Sequence, residues 1–548
     1  MTTILDASGR PIQRASPAHA RPSASLNGSA PSVFPYDAAS WQTQEMGDWL
    51  PWIRSPDSEI NQFRDRMVAR QRDLVRNDGL ASGGITRILD NTVGASLKLS
   101  AMPDYMALQT LTSLRTFDAQ WAVEFRRAAE ALWRTYSEDL GRYGDVSRQL
   151  TTSQQLRLAM RHKLVDGDAL MMAYWLPERI GVGAARYATA WQVVDPDRLS
   201  NPYQIMDTKH MRGGVEIDDF GVPLAYHIRK AEQNDWYNAV EANTWERIER
   251  EDPDGWIRVI HDFERDRAGQ NRGIGVFTSV IARFKMLARY YGVELQAATI
   301  AATFGTYVKS PYDPALVQDA LDGDSEELSR YQQLRVDWQN ERPAMLNGAR
   351  IPTLAPGESI EQVAAAHPHS GFGEFVREMQ RSFAAASGIS AEQISQDWSQ
   401  TNYSSARAAL LESWKTLTRR SAEFKTNTAT PVYAGVLHEM MDRGHLPLPA
   451  GAPSFLEART AYSKCAWLGV ARGWVDPVKE KQGAILGMDA GLSTLQRECA
   501  EQGLDYEEVI AQRAIEVQMF KDNGLPPPKW YSDDANSASE PEQGDEAK

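Results

Sequence analysis

The spacing of apolar positions changes character several times along the chain. Residues 57–77 are densely charged, with Ile60, Phe63, Met67 and Leu74 in a narrow stripe at helical spacing, and Asn77-Asp78-Gly79 closes the segment. Two further helical blocks are predicted over about 107–137 and 151–166. Between 168 and 265 the period shortens. The runs 169–175, 187–194, 214–217, 225–229 and 256–262 are rich in β-branched and aromatic residues, and turn sequences such as Asp218-Asp219-Phe220-Gly221 and Asp252-Pro253-Asp254-Gly255 separate them. From Gly275 the helical period returns, with Phe277, Val280, Ile281, Phe284, Leu287, Ala288, Tyr291 and Leu295 on one face. The stretch 304–363 is broken by Lys309-Ser310-Pro311, Glu341-Arg342-Pro343, Asn347-Gly348 and Ala355-Pro356-Gly357. It predicts a short helix over about 313–338 and two or three small strands. A second long helix over 370–388 carries Phe372, Phe375, Val376, Met379, Phe383 and Ala386 on one face. Another, over 404–426, aligns Ala406, Leu410, Trp414, Leu417 and Phe424. Residues 432–520 read as helical, punctuated by Gly and Pro. The pattern predicts an α+β fold, mainly helical, without internal repeats.

The ends lack such patterning. Residues 1–40 are rich in Ala, Ser and Pro, which predicts a mobile arm, and Pro526-Pro527-Pro528 precedes a tail with six acidic residues and one lysine, predicted to be disordered. The folded body then spans roughly 41–525. In a chain of 548 residues with 42% hydrophobic and 24% charged content, a full core is available. No apolar run approaches the ~18 residues that a membrane span needs. With only Cys465 and Cys499, neither a disulfide scaffold nor a four-cysteine zinc site is expected, which fits a soluble protein of a reducing compartment.

The chain carries 73 acidic and 59 basic residues, a formal net charge of −14. Tight binding of nucleic acid by its backbone needs a basic balance, because neutralising phosphates supplies most of the affinity. The acidic balance argues against such gripping, but it suits a protein past which DNA slides without sticking.

Catalytic signatures are mostly wanting. No GxxxxGK[ST] phosphate loop is present. Arg272-Gly273-Ile274-Gly275-Val276-Phe277-Thr278 has two of the three glycines of a dinucleotide loop but follows a charged loop. His438-Glu439-Met440-Met441-Asp442 begins like a zinc-protease helix and lacks the second histidine. His367-Pro368-His369 reads as a helix-entry turn. The pairs Asp195/Asp197 and Asp218/Asp219 sit in turn-forming sequence, where Asp bonds its own backbone, although a metal nuclease could use such pairs. No Ser or Cys sits in a nucleophile elbow. Residue chemistry alone favours a structural or interaction protein over an enzyme, with no metal and no cofactor.

Several strings are more specific. Arg70-Gln71-Arg72-Asp73-Leu74-Val75-Arg76-Asn77 is followed by an Asn-Thr-Val-Gly turn ending at Gly94. Later come Asp195-Pro196-Asp197-Arg198-Leu199, Gly214-Val215-Glu216-Ile217-Asp218, and Tyr226-His227-Ile228. His261-Asp262-Phe263 leads into Arg267-Ala268-Gly269-Gln270-Asn271-Arg272-Gly273. Last are Asn402-Tyr403-Ser404-Ser405-Ala406-Arg407, preceded by Asp397-Trp398-Ser399-Gln400-Thr401, and Asp476-Pro477-Val478-Lys479-Glu480. In order and spacing the set resembles the lambda-type portal proteins of tailed bacteriophages over about residues 55–515. Two departures are Asp168, where Glu is expected after Gly167, and Gly275, where proline is common.

The resemblance implies a portal fold with wing, helical stem, clip and crown, in a homo-oligomeric ring of about twelve copies around an axial channel. It places a wing over 41–274 (helices in 57–165, β-rich 168–265), stem helices over 275–303 and 364–390, and a clip over 304–363. A tunnel loop and tunnel helix follow over 391–431, wing completion and crown over 432–520, and the tail over 521–548. Such a ring sits at one capsid vertex of the virion, is assembled in the host bacterial cytoplasm, and passes double-stranded DNA inward on packaging and outward on ejection. Its partners would be the terminase large subunit, head–tail connector or adaptor proteins, the major capsid protein and the scaffold; no membrane is involved. The tunnel loop would present Gln396, Asp397, Trp398, Gln400, Thr401, Asn402 and Tyr403, with Asn402 or Ser404 capping the next helix. On the residues alone, an ordinary linker with Trp398 buried against a neighbour is the other reading. Clip candidates for docking are Lys309, Tyr312, Arg350 and Glu358. Candidates for pairing across subunits are Arg70, Arg72, Asp73 and Arg76, with a solvated helix face as the alternative. The competing functions are a metal nuclease using Asp195 or Asp218, and another minor head or scaffold protein.

Overall fold

The computed structural model describes residues 37–39, 44–181, 185–303, 306–309, 329–330, 333–334, 336–337, 344–346, 349–351, 359–362, 371–470 and 477–526. The expectations for residues 1–36, for the tail from 527 onward and for most of 313–338 lie outside the described residues. Residues 1–55 and 56–548 are separate compact units; the first contains the 3-10 turn Asp37–Ala39 and the short helix Gln44–Gly47.

The charged segment at the start of the second unit is two helices, not one. Pro56–Ile60 is followed by a turn and then by Arg64–Asn77. The inward face differs from the apolar stripe. Arg64, Val68, Gln71, Leu74 and Val75 are buried, whereas Phe63 is exposed. A charged side chain takes an inward position because carboxylates wait for it there, as described below. Asp78 is extended, ends this helix and N-caps the next, its side chain accepting from the Ala81 amide. That next helix, Gly79–Thr92, is not apparent from the sequence, where Gly79, Gly83 and Gly84 read as breakers. At Gly84 an added Cβ would lie 3.0 Å from the Phe277 ring, so close packing accounts for this glycine inside a helix.

The β-rich region forms two antiparallel sheets rather than one. In the first, Asp168–Trp175 is central between Thr189–Val194 and Val259–Phe263. The second is a meander of Met211–Arg212, Val215–Ile217, Pro223–Arg229 and Trp245–Glu249. Trp245–Glu249 (Trp-Glu-Arg-Ile-Glu) has no clean alternation, with Ile248 alone buried, and the sequence carries no signal for it. The central strand is buried on both faces, with strand period 2 dividing it between two cores. Leu170 and Met172 pack with Val215, Tyr226, Ile228 and Ile248 of the second sheet. Ala169, Met171 and Ala173 face the main helical core.

That main core gathers Ile85, Ile88, Leu108, Phe125, Trp133, Tyr433, Leu437 and Tyr462 from distant parts of the chain. A two-stranded pairing of Lys98–Ala101 with Cys465–Leu468 ties the early helices to the C-terminal third. The helix expected to stop near 426 continues. Tyr403–Phe424 passes through a π-helical turn, Lys425–Ala429, into the largely buried Thr430–Asp442.

Helices Ile281–Thr303 and Phe372–Ser387 form an antiparallel hairpin. Phe284 stacks on Phe383 with centroids 3.7 Å apart, and Tyr290 packs on Phe372 and Phe375. Directly beyond them, Thr306–Lys309 pairs antiparallel with Ser359–Gln362, so the inserted segment returns to where it left. Within that insert Ala344–Leu346 pairs with Ala349–Ile351.

Candidate functional site

Four of the strings that carry the family resemblance, 70–77, 195–199, 261–263 and 267–273, converge on one buried ionic joint. Asp168, the first residue of the central strand, is fully buried and accepts from Arg64 Nη2 (2.9 Å), Arg272 Nε (2.8 Å) and the Gly273 amide (2.6 Å). His261 Nε2 lies 3.2 Å from its other side. Burial alone would raise this carboxyl. The guanidiniums of Arg272 and Arg64 reverse that and hold it well below the usual carboxylate range. Burial pushes the His261 imidazole down against the pull of Asp168. Arg272 completes its donors on the carbonyls of Leu199 (2.6 Å), Gly213 (2.7 Å) and Pro196 (2.9 Å), clamping the turn between the two sheets. The planar five-donor fork of arginine suits such a junction.

One layer outward, Arg72 pairs with Asp166 (2.7 Å), Asp195 (2.7 Å) and Asp197 (2.9 Å). Its guanidinium is spent within its own chain, which corrects the expectation that it reaches across subunits. Arg70, Asp73 and Arg76 remain on the exposed face of the helix, where Arg76 approaches Asp73 at 3.6 Å. The same contacts bear on the nuclease reading, since Asp195 Oδ1 and both carboxylate oxygens of Asp197 are taken by arginines. Asp218 accepts from the amides of Phe220 and Val222, as a turn aspartate does. Among the described residues no group of three or more His, Cys, Asp or Glu is placed to hold a metal ion.

A second buried charge pair anchors the long C-terminal helix. Lys163 Nζ meets Asp262 at 2.7 Å, and Asp262 also accepts from Asn427 and Thr428 in the π turn. The irregular turn thus aims two side chains at one carboxylate.

The loop between Ala391–Ser395 and Tyr403–Phe424 is exposed and self-braced. Gln396 ends the short helix in the left-handed region (φ 57°), Asp397 accepts from the Ser399 amide at 3.0 Å, and Thr401 bonds back to the Trp398 carbonyl. The Ser399 contacts lower the Asp397 carboxyl. Asn402 is the N-cap, in a reciprocal capping box with Ser405. Trp398 remains 38% exposed. Lys309 and Arg350 fall in the strands Thr306–Lys309 and Ala349–Ile351. Tyr312 and Glu358 lie outside the described residues.

Sequence reasoning missed another contact. Helix Tyr506–Asp522 has no buried residue, and its first turn sits on cations of Ala119–Ser137 and the neighbouring strand. Glu507 meets Arg126 and Arg127, and Glu508 meets Arg134 (2.9 Å) and Lys98 (3.5 Å). Beneath them burial pushes the Glu130 carboxyl up to about 7, despite a bond from the Ala101 amide. The acidic first turn at 505–508 was the available signal.

The buried charges lock elements of the body together, and the helical hairpin carries an insert at its end. The family model described as phage portal protein, lambda family, matches residues 42–420. The portal protein of Escherichia phage N15 is 33% identical over 492 residues, covering 89% of this chain and 90% of that protein. Portal protein B of Escherichia phage lambda is 32% identical over 495 residues, with 89% and 90% covered. Among solved structures, a chain in the neck of a native GTA particle, computed with C12 symmetry, covers 84% of this chain and 94% of its own, at 13% identity and TM-score 0.40. The chain belongs to the lambda family of phage portal proteins, and its function is that of a tailed-phage portal.

Proposed function

We propose that about twelve copies close into a ring at one capsid vertex, through which double-stranded DNA is packaged and later ejected. The carrying observation is the antiparallel hairpin of Ile281–Thr303 and Phe372–Ser387, closed at its far end by the pairing of Thr306–Lys309 with Ser359–Gln362. That is the form expected of a stem leading to a clip. In this reading the insert 304–363, with Lys309, Tyr312, Arg350 and Glu358, docks the terminase large subunit during packaging and connector proteins afterwards. The two sheets and the helices around the ionic joint make up the wing, and 432–520 completes it and forms the crown.

The loop from Gln396 to Tyr403 faces the channel. Asp397, Gln400, Thr401 and Asn402 supply short polar groups and Trp398 a rigid aromatic. The loop carries one negative charge and no cation, so it offers nothing to displace counterions from the duplex. Arg70, Asp73 and Arg76 remain candidates for contact with the next subunit. Electron microscopy of the purified protein, with subunit number from native mass, tests the proposal. Rings of about a dozen copies with a hole wide enough for a duplex are expected. A homogeneous monomer or dimer across salt and protein concentrations would refute it.

A further inference from the structure

Two unpartnered helix faces on opposite sides of the hairpin match each other at equal height. On Ile281–Thr303, Phe284 and Tyr290 point to the partner helix. At 100° per residue, Ala282, Arg289 and Val293 lie on the opposite side, with Met286 at its edge. All four are exposed, Met286 at 62%. On Phe372–Ser387 the side opposite Phe383 carries Glu374, Glu378, Arg381 and Ala385, all exposed. Among the described residues Arg289 and Glu374 have no ion-pair partner, and Glu378 has only the solvent-exposed Arg381 at 3.4 Å. Beside the first face runs a groove of about 620 Å³ lined by Leu74, Ile281, Phe284 and Met286, with Arg70, Lys285 and Arg289 as its cations and Asp73 and Asp78 as its acids.

The antiparallel register supplies the heights. Phe284 is level with Phe383, Arg283 with Ser382, and Tyr290 with Phe375. Arg289 is therefore level with the turn Glu374–Glu378, but on the far side of the hairpin. Rotation about a ring axis running along the hairpin leaves height unchanged, so level residues on the two free faces are brought together in neighbouring copies. A ring requires such a heterologous contact, in which one face meets a different face of the next subunit.

We infer that Ile281–Thr303 of one copy packs its free face against the free face of Phe372–Ser387 in the next copy, with Arg289 seated between Glu374 and Glu378. Met286 then covers the groove edge, and Ala282 and Ala385 let the backbones approach. This contact rests on the ring reading above, and it names the surface by which the ring closes.

The test uses the full chain and reads ring formation by native mass spectrometry and microscopy, with circular dichroism and melting as the check on folding. All substituted positions are exposed. Wild-type rings are expected, R289E should lose them while remaining folded, and R289E/E374R/E378R should regain them. A second reading combines A282C with A385C under oxidising conditions. The two positions face away from each other within one chain, beyond disulfide reach, so a ladder of covalent oligomers absent from either single variant is expected. Rings from R289E as abundant as wild type, or oxidised material that stays monomeric, would overturn the contact and leave the ring reading standing. A folded R289E that loses rings without recovery in the triple variant would equally overturn the assigned pairing. A wild-type chain that never forms rings would overturn both.

Discussion

Removing the carboxylate at the centre of the ionic joint should destabilise the body more than any surface change. Asp168→Ala leaves the guanidiniums of Arg64 and Arg272 facing each other in a site from which water is excluded, with carbonyls, Asp197 at 3.3 Å from Arg64 and the nearby Asp166 left to offset them. Breaking a buried pair by removing one partner costs about 3–5 kcal/mol, because the remaining charge stays buried. Arg272 loses its carboxylate while Arg64 keeps its pairing with Asp197, so that range applies, a shift of about two to three and a half orders of magnitude in the folded population. Hydrogen exchange of the Asp168–Trp175 amides reads the loss locally, and urea unfolding followed by tryptophan fluorescence reads it globally. The double variant Asp168→Ala/Arg272→Met removes charge from both sides and should recover part of the deficit, which a double-mutant cycle isolates. The pH dependence has a definite sign. Since the folded carboxyl lies below the unfolded value of about 3.9, its stabilisation is fully present above that pH and is lost as pH falls below it. A loss under about 1 kcal/mol with unchanged exchange in this strand would refute the argument that buried pairing, rather than apolar packing, holds the joint.

Helix Tyr506–Asp522 should be salt-labile, since ion pairs hold its first turn and it buries no residue. R126A/R134A, or raised salt with wild type, is expected to speed amide exchange over 506–522 while that of Ala119–Ser137 is unchanged. Glu130, raised to about 7, contributes stability that is present below its unfolded value of about 4.3 and is lost as pH rises through 7. Glu130→Gln should flatten the melting temperature across that window, and an unchanged slope would count against the assignment. Gly167 has φ 91°, and a Cβ there would come 2.4 Å from the Gly273 backbone. Gly167→Ala is expected to lose about 1–3 kcal/mol from conformation alone, with the clash added, measured by the urea midpoint.

The two hairpin helices were legible because each buries one face, which leaves a clean period in the sequence. Ile281–Thr303 and Phe372–Ser387 begin within a few residues of where the aromatic spacing puts them. Gly79–Thr92 was illegible for the opposite reason. Its Gly84 lets Phe277 approach closely, so a residue that local propensity counts against a helix is one its packing demands. The division of the β-rich region into two sheets was hidden too. Strand Asp168–Trp175 is buried on both faces, and a strand of that kind reads as a continuous apolar run with no indication of which core each residue serves.

The candidate site divides along the same physical line. Arg64, Asp168, Asp195, Asp197, His261 and Arg272 are remote in sequence and meet within a few ångströms. There each donor has a fixed direction and each carboxylate a fixed set of donors. An error of one methylene is felt at such a joint, and Asp168 stands where Glu was expected, so the whole geometry must be set for the shorter side chain. Exposed groups carry no such constraint. Arg289 and Glu378 on the hairpin touch little in their own chain and leave no periodic or paired trace. Strings such as 195–199 and 267–273 come from the joint that builds the subunit, whereas the residues that would meet a neighbouring copy are those on which a single chain places the fewest demands. Locating the latter required the hairpin register, which a linear pattern does not contain.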